Sequence, residues 1–234
     1  MKIGIIGYGN LGSALARGLE KSGCAARENI NICDAGDDLN EAIRNSDIIF
    51  VVVKSYVFEE LAHSIDESIL GDKPVISFMA GVSSEKIRSL VRCSAYRAMP
   101  SVAIAECEGV IGYERGCPPS VVEILKKLGF AFEAESEDIE KVMAFSGCGL
   151  GFAAYLIDAF AQAGQAIGFS AETSQKIAEL TFKSAAARGS FAETVRSVAT
   201  PGGATEQGVL HLNESNVYDT IARAVQRAHE RMSG

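Results

Sequence analysis

A chain of 234 residues with 47% hydrophobic and 22% charged side chains has the composition of a globular protein, long enough for one large domain or two modest ones. A net charge of −8, with acids and bases intermixed and no basic tract, argues against a nucleic-acid partner. The N-terminus lacks a signal-peptide pattern, and apolar runs such as Ile48 to Val53 are too short to span a bilayer, so no membrane partner is expected.

Taken in chain order, Lys2 to Ile6 reads as a buried strand and Leu11 to Lys21 as a helix with Leu11, Leu15 and Leu19 on one face. Asn29 to Cys33 and Asp47 to Val53 are further strands, followed by a helix from Phe58 to Ser68 and a strand from Pro74 to Phe78. A serine-capped helix spans Ser84 to Val91. Cys93 to Arg97, Gly109 to Tyr113 and Phe130 to Glu133 add late strands, with a helix from Pro118 to Leu128 between the last two. Strands alternating with helices predict a mainly parallel sheet covered on both faces.

After about Glu135 the alternation stops and apolar residues recur at helical spacing. Lys141 to Ile167, Ala171 to Ala187, Phe191 to Val198 and Val217 to Met232 read as helices. The expected class is α/β, with an N-terminal parallel sheet over residues 1–135 and an all-helical domain over residues 136–234. Phe152, Leu156, Phe160 and Ile167 lie among alanines, leaving the long helix few positions for a solvated face. Helices of a second subunit would bury it and make the protein a homodimer. The alternative is that it forms the centre of its own domain.

Gly7-x-Gly9-x-x-Gly12 follows a strand and opens a helix, the context that makes this spacing a dinucleotide fingerprint of the Rossmann type. Phosphate would sit on the backbone of Gly7, Gly9, Asn10, Leu11 and Gly12 at the positive end of the helix. Asp34, about 20 residues after the last glycine, is placed to bind the ribose hydroxyls of NAD. An acid there repels a 2′-phosphate, so the cofactor is NADH or NADPH with a lean to NADH. A surface aspartate in a turn before Gly36 is the competing reading. Lys54 follows the third strand and should lie at the carboxyl edge of the sheet. Six cysteines, Cys24, Cys33, Cys93, Cys107, Cys117 and Cys148, show no CxxC spacing, so no metal or disulfide is expected. Reduced thiols of this kind suit a cytoplasmic location. His63, His211 and His229 stand outside every motif.

Several segments in order resemble the pyrroline-5-carboxylate reductase family. They are the opening glycine motif, Val52-Val53-Lys54, Ser77-Phe78-Met79-Ala80-Gly81, Arg97-Ala98-Met99-Pro100, Glu108-Gly109, Ser146-Gly147-Cys148-Gly149 and Val198-Ala199-Thr200-Pro201-Gly202-Gly203-Ala204-Thr205. The resemblance implies a Rossmann domain followed by a helical dimerisation domain, with dimers often assembled into rings. It implies hydride transfer to the C=N carbon of a cyclic imine acid, giving L-proline in amino-acid biosynthesis. Lys54, Met99 and Pro100 would then border the cofactor, and Thr200, Gly202, Gly203 and Thr205 the substrate. Amides of such a loop form an anion-binding concavity. The Thr205 hydroxyl would be the catalytic group, hydrogen-bonded to the developing amine; its alternative is the N-cap of a helix from Glu206 onward.

The chain departs from the family's usual SGSGPAY at Ser146 to Phe152, has Ser101 where asparagine is usual, and Ala204 where threonine is usual. Its stretch between Asp34 and Asp47 is shorter by a helix and a strand. A β-hydroxyacid dehydrogenase relative using Lys183 is a second reading, but it leaves the Thr200 to Thr205 loop without a role. A catalytically weak nucleotide-binding relative with a regulatory role is a third.

Overall fold

Seven short strands build one sheet in the order β2-β1-β3-β4-β5-β6-β7. They are β1 (Ile3–Ile6), β2 (Ile30–Cys33), β3 (Ile48–Val51), β4 (Pro74–Ser77), β5 (Ser94–Pro100), β6 (Gly109–Glu114) and β7 (Gly129–Ala134). Every neighbouring pair is parallel except β5 with β6. This computed structural model describes residues 1–233. Contacts divide the chain into Met1–Gly147 with the residues from Ala228 onward, and Cys148–Arg227.

In the first unit, β1 and β3 are buried along their whole length, as strands covered on both faces must be. Their alternating side chains feed two cores. Ile3, Ile5 and Phe50 join Leu15 and Leu19 of α1 (Asn10–Lys21) and Ile124 and Leu125 of α6 (Pro119–Lys127). Ile6, Ile49 and Val51 join Ile43 of α2 (Leu39–Arg44), Phe58 of α3 (Ser55–Ala62), Leu70 of α4 (Glu67–Leu70) and Ile87 of α5 (Ser84–Leu90). The expected parallel sheet covered on both faces is therefore present.

Three local expectations need correction. The helix expected from Phe58 to Ser68 starts at Ser55, stops at Ala62 and gives way to α4, because the Asp66 side chain caps a new start by accepting the Ser68 amide at 3.0 Å. β5 extends past Arg97 to Pro100, since Ala98, Met99 and Pro100 leave β4 and pair antiparallel with β6. The unanticipated α2 is started by Asp38, whose Oδ1 accepts the Glu41 amide at 3.0 Å.

No strand lies beyond β2 among the described residues, and the connection from Asp34 to Asp47 holds only α2. The outer edge of β2 is closed by local groups. Arg27 Nη1 donates to the Ile30 carbonyl at 3.2 Å, the Ile30 amide donates to the Arg27 carbonyl, and Asp37 Oδ2 accepts the Asp34 amide at 2.8 Å.

From Ser136 the chain is helical to Ala166: α7 (Ile139–Val142), a π-helical turn at Met143–Gly147 and α8 (Cys148–Ala166). Ser146 Oγ donates to the Val142 carbonyl at 2.7 Å inside that turn. This continuous helix is strongly apolar, yet little of it is buried. By length and composition alone it could cross a bilayer.

The second unit continues with α9 (Ala171–Ala186), α10 (Phe191–Val198) and α11 (Ala204–Glu214), then enters α12 (Val217–Ser233). α8 and α9 approach closely where a Cβ on Gly164 would stand 2.9 Å from Ser174 Oγ, and Phe160 meets Phe182 edge-on at 5.8 Å. In Cys148–Arg227 only Ala161, Ser174 and Ala178 are buried, while Tyr155, Phe169, Phe191 and Leu210 are exposed. A helical unit with so little interior cannot meet the entropy of ordering its own chain.

Candidate functional site

The carboxyl edge of the parallel strands carries the glycine turn. Gly7 follows β1 with φ +99°, and its amide donates to the Cys33 carbonyl at 2.8 Å, which sets the turn beside the end of β2. A Cβ on Gly12 would lie 2.1 Å from the Gly7 carbonyl oxygen, so this glycine lets α1 sit directly on the turn. Gly9 differs from both: a Cβ there would meet nothing within 4 Å, and its extended φ of −73° suits any residue. What a side chain at Gly9 would fill is the space outside the turn, the approach a pyrophosphate needs. α1 has no side-chain N-cap, so amides at its head lack an intrahelical partner. These residues fit a bound dinucleotide.

Asp34 leaves β2 at the same edge and is exposed, with Asp37 and Asp38 close behind. Cys33 registers the field they create: burial raises its thiol pKa, and the charges of Asp37, Asp34 and Asp38 raise it further. Lys54 also stands at this edge as the exposed N-cap residue of α3, with no side-chain hydrogen bond to the helix, and the Val52 amide donates to the Ile6 carbonyl at 2.8 Å. Thus the glycine turn, Asp34 and Lys54 come from separate segments to one edge. Leu11 turns its side chain onto the core and offers its backbone. Met99 is enclosed with Ala134, Ile139 and Val142, and Pro100 is buried.

A buried ion pair that no local pattern signals lies two residues before Met99. Arg97 binds Glu140 through both terminal nitrogens, and its Nη1 also donates to the Ser136 carbonyl at 3.4 Å. Glu140 Oε1 accepts the Gly81 amide at 3.3 Å, fastening the Phe78 to Gly81 loop to α7. Burial pushes the Glu140 carboxyl up, but the hydrogen bond and charge of Arg97 outweigh it and hold the group below the usual glutamate range. Glu114 accepts the Arg97 amide at 3.1 Å and the Ser84 hydroxyl at 2.8 Å.

In the second unit, Thr200 to Thr205 forms the turn that opens α11. Gly202 has φ +73°, the Gly203 amide donates to the Thr200 carbonyl at 2.9 Å, and a Cβ on Gly203 would strike Thr200 Oγ1 at 2.4 Å. The N-cap is Gly203 rather than Thr205, which lies exposed in the first turn, because the helix begins at Ala204. Glu206, which is not among the expected site residues, also holds the turn: its Oε2 accepts the Gly202 amide at 2.7 Å. Its acidic side chain so close after two glycines was the available signal. Lys183 is exposed on α9.

A parallel sheet with an open glycine turn and an acid at the end of the next strand defines a dinucleotide-binding protein with a helical partner region. Residues 136–234 match the family described as pyrroline-5-carboxylate reductase dimerisation, and residues 25–81 match NADP oxidoreductase coenzyme F420-dependent. The pyrroline-5-carboxylate reductase of Aquifex aeolicus is 28% identical over 99% of this chain and 96% of its own length. That of Methanosarcina acetivorans is 28% identical over 98% and 96%. The structure of Plasmodium falciparum pyrroline carboxylate reductase with NADP bound superposes with a TM-score of 0.90, at 25% identity over 100% of this chain and 97% of that one. Along nearly its whole length the chain is thus similar to pyrroline-5-carboxylate reductases, and its helical region matches their dimerisation domain.

Proposed function

We propose that this protein reduces 1-pyrroline-5-carboxylate to L-proline with a nicotinamide dinucleotide as hydride donor. The observation that carries this reading is the Thr200 to Thr205 turn at the head of α11, an anion-binding shape in a chain with this similarity. The cofactor, when bound, supplies the hydride. Gly7, Gly9, Asn10, Leu11 and Gly12 hold its pyrophosphate, Asp34 its ribose, and Lys54, Met99 and Pro100 border it. The Gly202 amide and the Thr200 hydroxyl receive the substrate carboxylate on a turn that Gly203 closes through its own amide, and the Thr205 hydroxyl holds the ring nitrogen. A protonated imine is already electrophilic, so these groups need only align it and keep water away.

We infer a preference for NADH from the acidic end of β2. Asp34, Asp37 and Asp38 set a negative field where a 2′-phosphate would sit. The apolar surface of the second unit and the dimerisation match support a homodimer with residues 136–234 as its dimerisation and substrate region, open to assembly into rings. All six cysteines are unpaired, in keeping with a cytoplasmic location.

The test is cofactor oxidation in the presence of pyrroline-5-carboxylate, followed with NADH and with NADPH. Turnover with a higher kcat/KM for NADH is expected, and Asp34→Ser should narrow the difference. No turnover with either cofactor, beside measurable nucleotide binding, would favour the regulatory alternative.

A further inference from the structure

The Gly202 amide, one of the donors that shape the substrate turn, is engaged by a carboxylate of the chain itself. Glu206 is the third residue of α11, and its Oε2 accepts that N–H at 2.7 Å. In a common capping arrangement the third helical residue reaches back to the N-cap amide. Here the N-cap is Gly203, whose amide is already bonded to the Thr200 carbonyl at 2.9 Å. Glu206 reaches one residue further, onto the turn. The positive φ of Gly202, +73°, directs successive amides of the turn toward one side, the geometry that attracts anions. A carboxylate therefore already sits on the donor that a substrate carboxylate would seek.

We propose that Glu206 is a substrate-selecting residue, a built-in competitor for the Gly202 amide. This rests on the reductase reading given above. To bind through the turn, a ring acid must displace the Glu206 carboxylate and then tolerate its charge nearby, since like charges at short range disfavour one another. A cyclic imine without a carboxylate does not face this competition, and its iminium charge is drawn toward Glu206. The residue thereby shifts selectivity away from the ring acid and toward the carboxylate-free cation. It acts on binding before hydride transfer, so it changes KM more than kcat.

The experiment compares the full-length parent, Glu206→Gln and Glu206→Ala, each with 1-pyrroline-5-carboxylate and with 1-pyrroline at saturating NADH. Thermal melting confirms that each variant is folded. For the acid, KM should fall about tenfold in Glu206→Ala, and by less in Glu206→Gln, whose side-chain oxygen still accepts the Gly202 amide but carries no charge, with kcat within about twofold; a tenfold change corresponds to about 1.4 kcal/mol. For 1-pyrroline, KM should stay level or rise. An unchanged or higher KM for the acid in folded Glu206→Gln and Glu206→Ala, while the parent turns over, overturns the role of Glu206 and leaves the reductase reading intact. Absence of turnover by parent and variants alike overturns the reductase reading, and the selecting role falls with it.

Discussion

Alanine at Gly9 and alanine at Gly12 should separate cofactor binding from folding within one turn of chain. At Gly12 the new Cβ lies 2.1 Å from the Gly7 carbonyl oxygen, about 1.3 Å inside the 3.4 Å at which ordinary contact begins. The obstacle is backbone, so α1 must lift off the turn, and overpacking of this kind costs about 1–3 kcal/mol. For a chain of this size that is a fall in Tm of roughly 2–12 °C. At Gly9 the Cβ meets no protein atom within 4 Å and the backbone is already in an ordinary conformation. Losing the glycine's unfolded-state freedom offsets the poorer N-cap, so the Tm of Gly9→Ala should change by no more than about 3 °C. Its NADH dissociation constant should nonetheless rise at least about tenfold, because the methyl fills the pyrophosphate approach. Melting without cofactor and a fluorescence titration with NADH read the two effects. Parent-like NADH affinity in Gly9→Ala would show that the pyrophosphate does not use this turn, and a parent-like Tm in Gly12→Ala would refute the packing argument.

Replacing Glu140 by glutamine leaves the Arg97 charge buried without its counter-ion and should destabilise the protein by about 3–5 kcal/mol in urea unfolding at pH 7. Because the folded Glu140 carboxyl titrates below its unfolded value, the parent's advantage is fully present above the ordinary glutamate pKa of about 4.3 and is lost as pH falls through the lower folded value. A difference between parent and variant that grows on acidification contradicts this. Burial pushes the Cys93 thiol up to about 11 and, with help from Glu114, that of Cys117 up to about 12. Thiol reagents at pH 8 should spare both in the native protein, and mass mapping that finds either labelled first would count against it. The sparse interior of Cys148–Arg227 predicts that Tm falls on about hundredfold dilution, as for any fold completed by a second copy, whereas a concentration-independent Tm points to a self-sufficient monomer.

Periodicity and glycine spacing were sufficient to read the parallel sheet and the helical region that follows. The fully apolar runs of β1 and β3 could belong only to strands covered on both faces, and the three glycines each meet a different demand of one turn. The structure brings Asp34 and Lys54 to that turn from positions that the strand pattern alone had fixed. What the sequence hid were contacts between distant single charges. Nothing local to Arg97 or to Glu140 announces a pair separated by 43 positions. Cap chemistry, by contrast, is local: Asp38 with Glu41, and Asp66 before Ser68, are short-range signals that start α2 and split the helix after Ala62. The path of β5 beyond Arg97 depends on its change of partner from β4 to β6, which no single segment encodes.

The closed outer edge of β2 bears on how the sheet avoids growing by edge-to-edge pairing. A strand at the rim of a parallel sheet ordinarily exposes a row of backbone groups on which another chain can pair. Here Arg27 satisfies both groups of Ile30, and Asp37 takes the amide of Asp34. Since Cys33 faces β1, the alternation of the ladder leaves Ile32 as the main outward-facing residue between them. One open residue is a poor template for an added strand. An edge strand closed by so few polar side chains therefore offers a second copy of the chain almost no free backbone on which to extend the sheet.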